Sequence, residues 1–257
     1  MDNKEQRKQY WFVIRELTSR EIKRKYSRSK LGIIWSVLNP LLFMVVISLI
    51  FSKMFSRSIE NFPIYYLCGY ILWNFFTTAT NSAMTSFVDN KNMLIKVKLP
   101  MEVFLLSRVY TAFVNFLYSL IAFVLMLIVF RITPHITLIF FPVIVFFEIF
   151  FALGISYILS TAYVFFGDIK HLYSVILTLW MYMSALFYPV TSLPDMLQGV
   201  ISYNPIFVYI NALRNIVMYA QWPDGTEVIK MAGYAAAVYI IGFLIFRANK
   251  NRIMQKI

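Results

Sequence analysis

Long uncharged runs, separated by short charged stretches, organise this 257-residue chain. From Lys30 to Lys53 no charge occurs in the 22 intervening residues. As a helix, such a run covers roughly the 30 Å of a bilayer's hydrocarbon core. Further runs lie between Glu60 and Asp89 and between Arg108 and Arg131. A fourth, from about Ile136 to Phe166, is interrupted by Glu148 alone, and a fifth goes from His171 to Pro194. The sixth, Met231 to Phe246, has 16 residues, short of the usual range of about 17–25. Its helix is therefore expected to start earlier, with Lys230 reaching towards the interface. The pattern predicts an all-α polytopic membrane protein. Its six transmembrane helices are expected at about 33–55, 62–87, 109–130, 136–166, 171–190 and 228–246. Residues 1–32 are expected to form a cytoplasmic amphipathic interface segment, and 247–257 a basic cytoplasmic tail.

One more apolar run, Met196 to Leu213, could count as a seventh span, but Gln198, Gly199 and Asn204-Pro205 interrupt it. Proline removes a helix donor and clashes one turn back. Charge decides the count. With six spans and both termini cytoplasmic, 19 Lys and Arg lie inside against five outside; a seventh span would put the basic C-terminus outside, against the positive-inside bias. An extracytoplasmic re-entrant hairpin around 192–222, between spans five and six, is the better expectation. Non-helical backbone at membrane depth is tolerated where it is buried in protein or lines a wet cavity.

Ahead of the first span, the dense basic run Arg20 to Lys30 holds this end in the cytoplasm. Tyr10 to Arg24 reads as a helix lying on the cytoplasmic surface. At 100° per residue, Tyr10, Trp11, Val13, Ile14, Leu17 and Ile22 share one side, with Arg15, Glu16, Ser19 and Lys23 opposite. Phe12 and Glu21 fall on the wrong faces. The alternative is a polar tail whose charges only set topology.

Composition agrees: 60% of residues are hydrophobic and 14% charged, against about 25% charged in soluble domains. A net charge of +12 raises nucleic acid as a partner. Nucleic-acid binders, however, cluster basic residues on a folded soluble surface, and no soluble stretch here is long enough to form one. The single cysteine, Cys68, excludes an intrachain disulfide and a cysteine-based zinc site. The first apolar run is longer than a signal-peptide core and is expected to stay as an anchor.

Catalytic chemistry is sparse. The chain has no G-x-x-x-x-G-K-[ST] phosphate loop and no H-E-x-x-H. His135 and His171 fall near opposite membrane faces by this topology, so no metal site is expected. Glu148 is the one acid deep in a predicted span. It is either functional or a buried neutral acid at a helix contact. Aromatic residues make up 18%, and many belong to interfacial belts. Two clusters exceed that: Tyr65-Tyr66, Tyr70, Trp73 and Phe75-Phe76 on span two, and Trp180, Tyr182, Phe187 and Tyr188 on span five. Flat rings stack on the apolar faces of sugars, so Tyr66, Tyr70, Trp73, Phe76, Trp180 and Tyr188 are candidates to line a saccharide path. Lipid-facing packing is the alternative. The loop Asp89-Asn90-Lys91-Asn92-Met93-Leu94-Ile95-Lys96-Val97-Lys98-Leu99-Pro100 reads as a short helix stopped by proline. Met93, Leu94 and Ile95, exposed on a cationic face, would suit docking into a partner's groove.

Together these residues resemble the membrane subunit of an ABC-2-type polysaccharide exporter, the group of O-antigen and teichoic acid export permeases. Arg20, Lys23, Arg24 or Lys25, Tyr26, Ser29, Leu31-Gly32, Trp35 and Pro40 match that family's basic stretch leading into span one. Gly69 and Trp73-Asn74-Phe75-Phe76 are similar to its span-two pattern. Ser86, Asn90, Lys96 and Pro100 fit its coupling loop, and Phe166, Asp168 and His171 its link into span five. Ser184, Phe187-Tyr188-Pro189, Asn204-Pro205 and Arg214 resemble its outer gate. Glu21, Met101, Gly167 and Ala185 depart from the pattern.

The resemblance implies a homodimeric pore in the cytoplasmic (inner) membrane, driven by two copies of a P-loop ATPase. ATP and Mg would sit on that partner, with no cofactor in this chain. It implies a polyprenyl-diphosphate-linked glycan as substrate. ATPase coupling would fall to Asp89, Asn90, Lys91, Asn92, Met93, Leu94, Lys96 and Pro100. Headgroup or lipid contact would fall to Arg20, Lys23, Arg24, Lys25, Tyr26 and Arg28, and an outer gate to Phe187, Asn204, Pro205 and Arg214, with Arg214 near the interface and able to pair with Asp195. Export of a drug or small lipid, or a membrane-embedded glycosyl- or acyltransferase, are the alternatives.

Overall fold

The computed structural model describes residues 3–27, 29–56, 59–96 and 99–257. Every regular element among them is helical. Helix α1 (Asn3–Tyr26) is followed by α2 (Ile34–Phe51) and α3 (Phe62–Met84), then two short helices, α4 (Ser86–Asp89) and α5 (Lys91–Lys96). After α6 (Glu102–Val129), a 3₁₀ turn (Ile136–Phe140) leads into α7 (Phe141–Phe165). The chain ends with α8 (Ile169–Met183), α9 (Asp195–Ser202), α10 (Pro205–Met218) and α11 (Gly225–Lys256). Four helical stretches are long and apolar enough to cross a membrane: Ile34–Phe51, Glu102–Val129, Ile136–Phe165 and Gly225–Lys256. Helix α3 has the length, at 23 residues, but Asn74, Thr77, Thr78, Thr80, Asn81 and Ser82 dilute its second half.

Helix α3 is the axis of the bundle. Most of its side chains are buried, against α6, α7, α2 and α10. Asn61 caps its start by accepting from the Ile64 amide at 3.4 Å, and Pro63 occupies the first turn, where no donor is lost. The most extensive pairing is α7 with α11, and glycine permits it. A Cβ on Gly242 would stand 2.2 Å from the Gly154 carbonyl oxygen, and one on Gly154 2.5 Å from the Val238 backbone. The two backbones touch where neither carries a side chain, as small-residue crossings allow.

Several elements differ from expectation. Helix α1 is longer than 10–24 and packs on α6 through Ile14, which is buried, while Trp11 and Phe12 stay largely exposed. Gly32, at φ +51°, turns the chain from α1 into α2, a conformation that suits glycine. The fifth apolar run stops being helical early: α8 has 15 residues, or roughly 22 Å. It ends at Met183, with Ser184 as the cap before Ala185 at φ +49°. The last helix begins at Gly225, where Asp224 accepts from the Gly225 amide at 2.8 Å. It continues through the expected tail, so 247–256 is helix rather than a loose extension; Lys250 there pairs with Glu102 at 2.9 Å. Within 89–100 the helix is α5, Lys91–Lys96, and a separate short helix, α4, ends just before it at Asp89.

Candidate functional site

At the basic end of the bundle, α1, α4 and α6 are clasped by one arginine. Arg108 Nε approaches Glu21 Oε1 at 2.9 Å, off-line for a hydrogen bond, and a terminal nitrogen donates to Asp89 Oδ2 at 3.1 Å. Thr111 donates to the other Glu21 oxygen at 3.1 Å, and Thr85 to Asp89 at 2.7 Å. Thr18 adds a bond to the Ser107 carbonyl at 3.3 Å. A polar cavity of about 240 Å³ lies between these elements. Its wall joins Arg20 and Arg24, expected for headgroup contact, to Asp89 and Asn90, expected for coupling. Through Arg108 the end of α4 is thus tied to α1 and α6.

The remaining coupling candidates spread out. Lys91, Asn92 and Lys96 are exposed, and Pro100 is half-buried just before α6. Of the three apolar residues expected to face outward, Leu94 is buried in the core, Met93 packs against it, and only Ile95 stays exposed. Helix periodicity over so short an element puts one side of it against the bundle. Lys23 is exposed, while Lys25 and Tyr26 face a second cavity at this end, where the Tyr26 hydroxyl donates to Asn115 Oδ1 at 2.9 Å. Arg28 lies outside the described residues.

Five of the six aromatic candidates pack on other rings of the chain, while the Tyr188 hydroxyl donates to the Tyr182 carbonyl. Tyr66 lies between Tyr70 at 5.5 Å and Phe187 at 6.0 Å, centroid to centroid. Trp73 tilts on Phe76 at 6.1 Å, and Phe76 meets the edge of Trp180 at 5.3 Å and stacks on Phe151 at 5.6 Å. Tyr66, Trp73 and Phe76 are buried, whereas Tyr70, Trp180 and Tyr188 keep part of their surface.

The segment after α8 folds into two helices, α9 and α10, joined by a corner at Tyr203-Asn204. Gly199 sits inside α9 without breaking it. Asn204 makes the turn: its Oδ1 accepts from Trp180 Nε1 at 2.8 Å and from the Ile206 amide at 3.1 Å, and its Nδ2 donates to the Met183 carbonyl at 2.9 Å. Pro205 occupies the first turn of α10. Tyr234 donates to the Tyr203 carbonyl, Tyr209 to the Met231 carbonyl, and Asn211 to Glu227. So α10 runs antiparallel to α11, with the corner roughly 14 Å along α11 from Gly225.

Arg214 is not at an exposed interface. It is fully buried, stacked 3.4 Å from the Tyr65 ring centroid. It donates to the carbonyls of Tyr65 at 3.2 Å, Ala185 at 3.0 Å and Leu186 at 3.3 Å. Asp195 is exposed on α9, and Arg214 makes no ion pair among the described residues. Left-handed Ala185 turns its carbonyl onto this guanidinium, so the helix stop and the buried cation form one device. Glu148 on α7 is fully buried, and neither carboxyl oxygen has a partner among the described residues.

Arg108, Glu21 and Thr111 were not candidates from sequence. Arg108 read as the boundary charge of a span, and Glu21 as a misfit on the helical wheel. A misfit acid facing the first basic residue of a neighbouring run was the available signal.

A helical bundle with several apolar helices and a polar clasp at its basic end is a multi-pass membrane protein. The chain belongs to the ABC-2 type transporter family, whose pattern matches residues 13–218. It is 28% identical to the O-antigen export system permease protein RfbA of Myxococcus xanthus over 251 residues, covering 97% of this chain and 96% of that protein. It is also 28% identical to the Klebsiella pneumoniae protein of the same name, covering 93% and 92%. Similarity to the Escherichia coli polysialic acid transport protein KpsM is lower, 20% over 251 residues.

Proposed function

We propose that this chain is the pore-forming membrane subunit of an ATP-driven exporter that moves a lipid-linked cell-surface polysaccharide across the cytoplasmic membrane. The observation that carries the reading is end-to-end similarity to two O-antigen export permeases, with over nine-tenths of both chains aligned. ATP hydrolysis would fall to a partner ATPase, a reading supported by the lack of a phosphate-binding loop in the sequence and by the relatives being permeases; this chain would act as a transport subunit. Two copies would form the pore, each taking one ATPase on its basic end. The Glu21–Arg108–Asp89 clasp supports that placement, since it links the α4–α5 loop to α1 and α6.

Six spans follow from the same reading: α2, α3, α6, α7, α8 and α11, with both termini cytoplasmic. The α9–α10 hairpin would enter and leave on the outer side, and Asn204, Pro205, Phe187 and Arg214 would shape the outer end of the pore. Its support is the antiparallel run of α10 along the first turns of α11. Impermeant thiol labelling of single cysteines at Ser56, Ser192 and Lys250 tests the topology; labelling of position 250 from outside would overturn it. For function, the chain should co-purify with a P-loop ATPase, hydrolyse no ATP alone, and restore surface glycan to cells lacking it. Surface glycan unchanged by deletion of the protein would sink the export reading. Stimulation of the complex's ATPase by a drug-like amphiphile and not by glycan would favour the drug-export alternative.

A further inference from the structure

The second cavity at the basic end, about 340 Å³, lies between the end of α1 and helices α2, α3 and α6. Its wall is amide and hydroxyl: Asn39, Asn74, Thr78, Asn115, Ser36 and the Tyr26 hydroxyl. Each lies in or beside a helix otherwise apolar enough for a membrane, or central to the bundle. Asn39, Asn74 and Asn115 are roughly 8, 15 and 20 Å along their helices from the basic end. Polar side chains at such depth are costly unless something answers them. Asn115 is answered: it accepts from Tyr26 at 2.9 Å and donates to the Thr111 carbonyl at 2.8 Å. The side chains of Asn39, which is exposed, and of Asn74 and Thr78, which are half-buried, make no hydrogen bond among the described residues; all three border the cavity and stay open to a ligand there.

The donor set narrows the ligand. No carboxylate borders the cavity, so a metal ion has no anionic ligand there. One cation, Lys25, stands at the wall and donates weakly to Asn115 at 3.5 Å. A diphosphate alone would call for more positive charge and an acyl chain for none of these amides. Primary amides donate and accept side by side, as vicinal sugar hydroxyls require, and the exposed Trp35 ring offers a flat face beside them. Water could satisfy the same groups, and a saccharide would displace it.

We infer that this cavity binds the lipid-proximal sugar of the exported glycan, with Lys25 beside the phosphate that joins it to its carrier. The inference rests on the export reading and names the feature of the substrate that the cytoplasmic side recognises. Asn39 of α2 and Asn74 and Thr78 of α3 grip hydroxyls, and Trp35 covers the apolar face. Because α1 contributes Tyr26 and Lys25 while the Arg108 clasp fixes α1, occupancy of this cavity is tied mechanically to the α4–α5 loop.

The test uses the full chain in lipid nanodiscs and two synthetic probes, farnesyl diphosphate carrying one N-acetylhexosamine and farnesyl diphosphate itself, with binding read by thermophoresis. The wild type should prefer the sugar-bearing probe. Asn39→Ala, Asn74→Ala and Thr78→Val should each weaken it about three- to tenfold, the worth of one or two hydrogen bonds, without changing the bare diphosphate. Thr78→Val is near-isosteric and keeps the test alive if an asparagine variant fails to fold. Equal loss of both probes would overturn the sugar assignment. A preference that all three variants retain would put the sugar site elsewhere and leave the export reading standing. Binding of neither probe to the wild type would also overturn the proposal. Surface display of glycan in complemented cells, measured separately, would then decide the export reading.

Discussion

Replacing Arg108 with Gln removes one charge from the point where three elements meet. Arg108 and Glu21 are 12% and 19% exposed at their side chains, so their 2.9 Å pair is mostly shielded from water. Breaking a buried pair by deleting one partner costs about 3–5 kcal/mol because the other charge is stranded. Partial exposure here and the surviving Thr111 hydroxyl reduce that to about 2 kcal/mol. The Asp89 arm is 46% exposed on the carboxylate side, and such pairs contribute less than about 1 kcal/mol. The clasp as a whole is then worth roughly 2–3 kcal/mol, small beside the bundle's packing but enough to release α1 from the α4–α5 loop. We expect Arg108→Gln to fold, to assemble with the ATPase, and to show faster amide exchange in 14–26 and 86–96. ATP turnover should persist while glycan export falls by about tenfold or more. A double-mutant cycle with Glu21→Gln should give a coupling energy above 1 kcal/mol, roughly. Additive effects within about 0.3 kcal/mol, with export at the wild-type rate, would refute the clasp as a transmission element.

Gly242→Leu should prise α7 from α11, since its first side-chain atom would meet the Gly154 carbonyl at 2.2 Å. A loss of at least about 1–3 kcal/mol in thermal stability is expected, against little change for Gly233→Leu, where nothing lies within 4 Å; equal effects would contradict the crossing. Arg214→Lys should cost about 2–3 kcal/mol, because one ammonium cannot serve the carbonyls of Tyr65, Ala185 and Leu186 together; a melting temperature unchanged from wild type would refute the buried pin. The Thr226 hydroxyl, with the Gly225 amide, holds the Asp224 carboxyl below the usual carboxylate range. A depressed acid stabilises fully above its unfolded value and loses that as pH falls through the lower folded one. Amide exchange in the first turn of α11 should accordingly accelerate below about pH 4 in the wild type, and an acid response that Asp224→Asn retains would assign it to another group.

Much of the bundle was legible from charge alone, because a helix that must satisfy its own backbone in lipid excludes charge along its whole length. The uncharged runs contain α2, α3 and most of α7, and Asn204-Pro205 marked the corner between α9 and α10 through chemistry local to it. What escaped was set by partners distant in sequence. No residue within 171–190 announces that α8 stops at Met183; the stop is held by Arg214, 29 residues beyond Ala185. The cluster Arg247 to Lys256 reads as a solvated tail, yet Lys250 finds Glu102 across the bundle and the helix runs on. Leu94 looked free because a six-residue element shows too little periodicity to reveal which side it buries.

The polar residues inside the apolar runs divide by the same logic. Arg214, Asn204 and Asn115 are answered by groups of the chain itself, and each fixes a local shape: a helix stop, a corner, the seat of α1. Asn39, Asn74 and Thr78 have no such answer among the described residues, and they border one cavity. Glu148 and the Ser48 hydroxyl are also without partners but stand apart with their oxygens enclosed, whereas Asn39, Asn74 and Thr78 open together onto one cavity beside the answered Asn115 of α6. Sequence could reveal that these residues are out of place in their helices. Only their convergence distinguishes a place prepared for a ligand from the cost of folding.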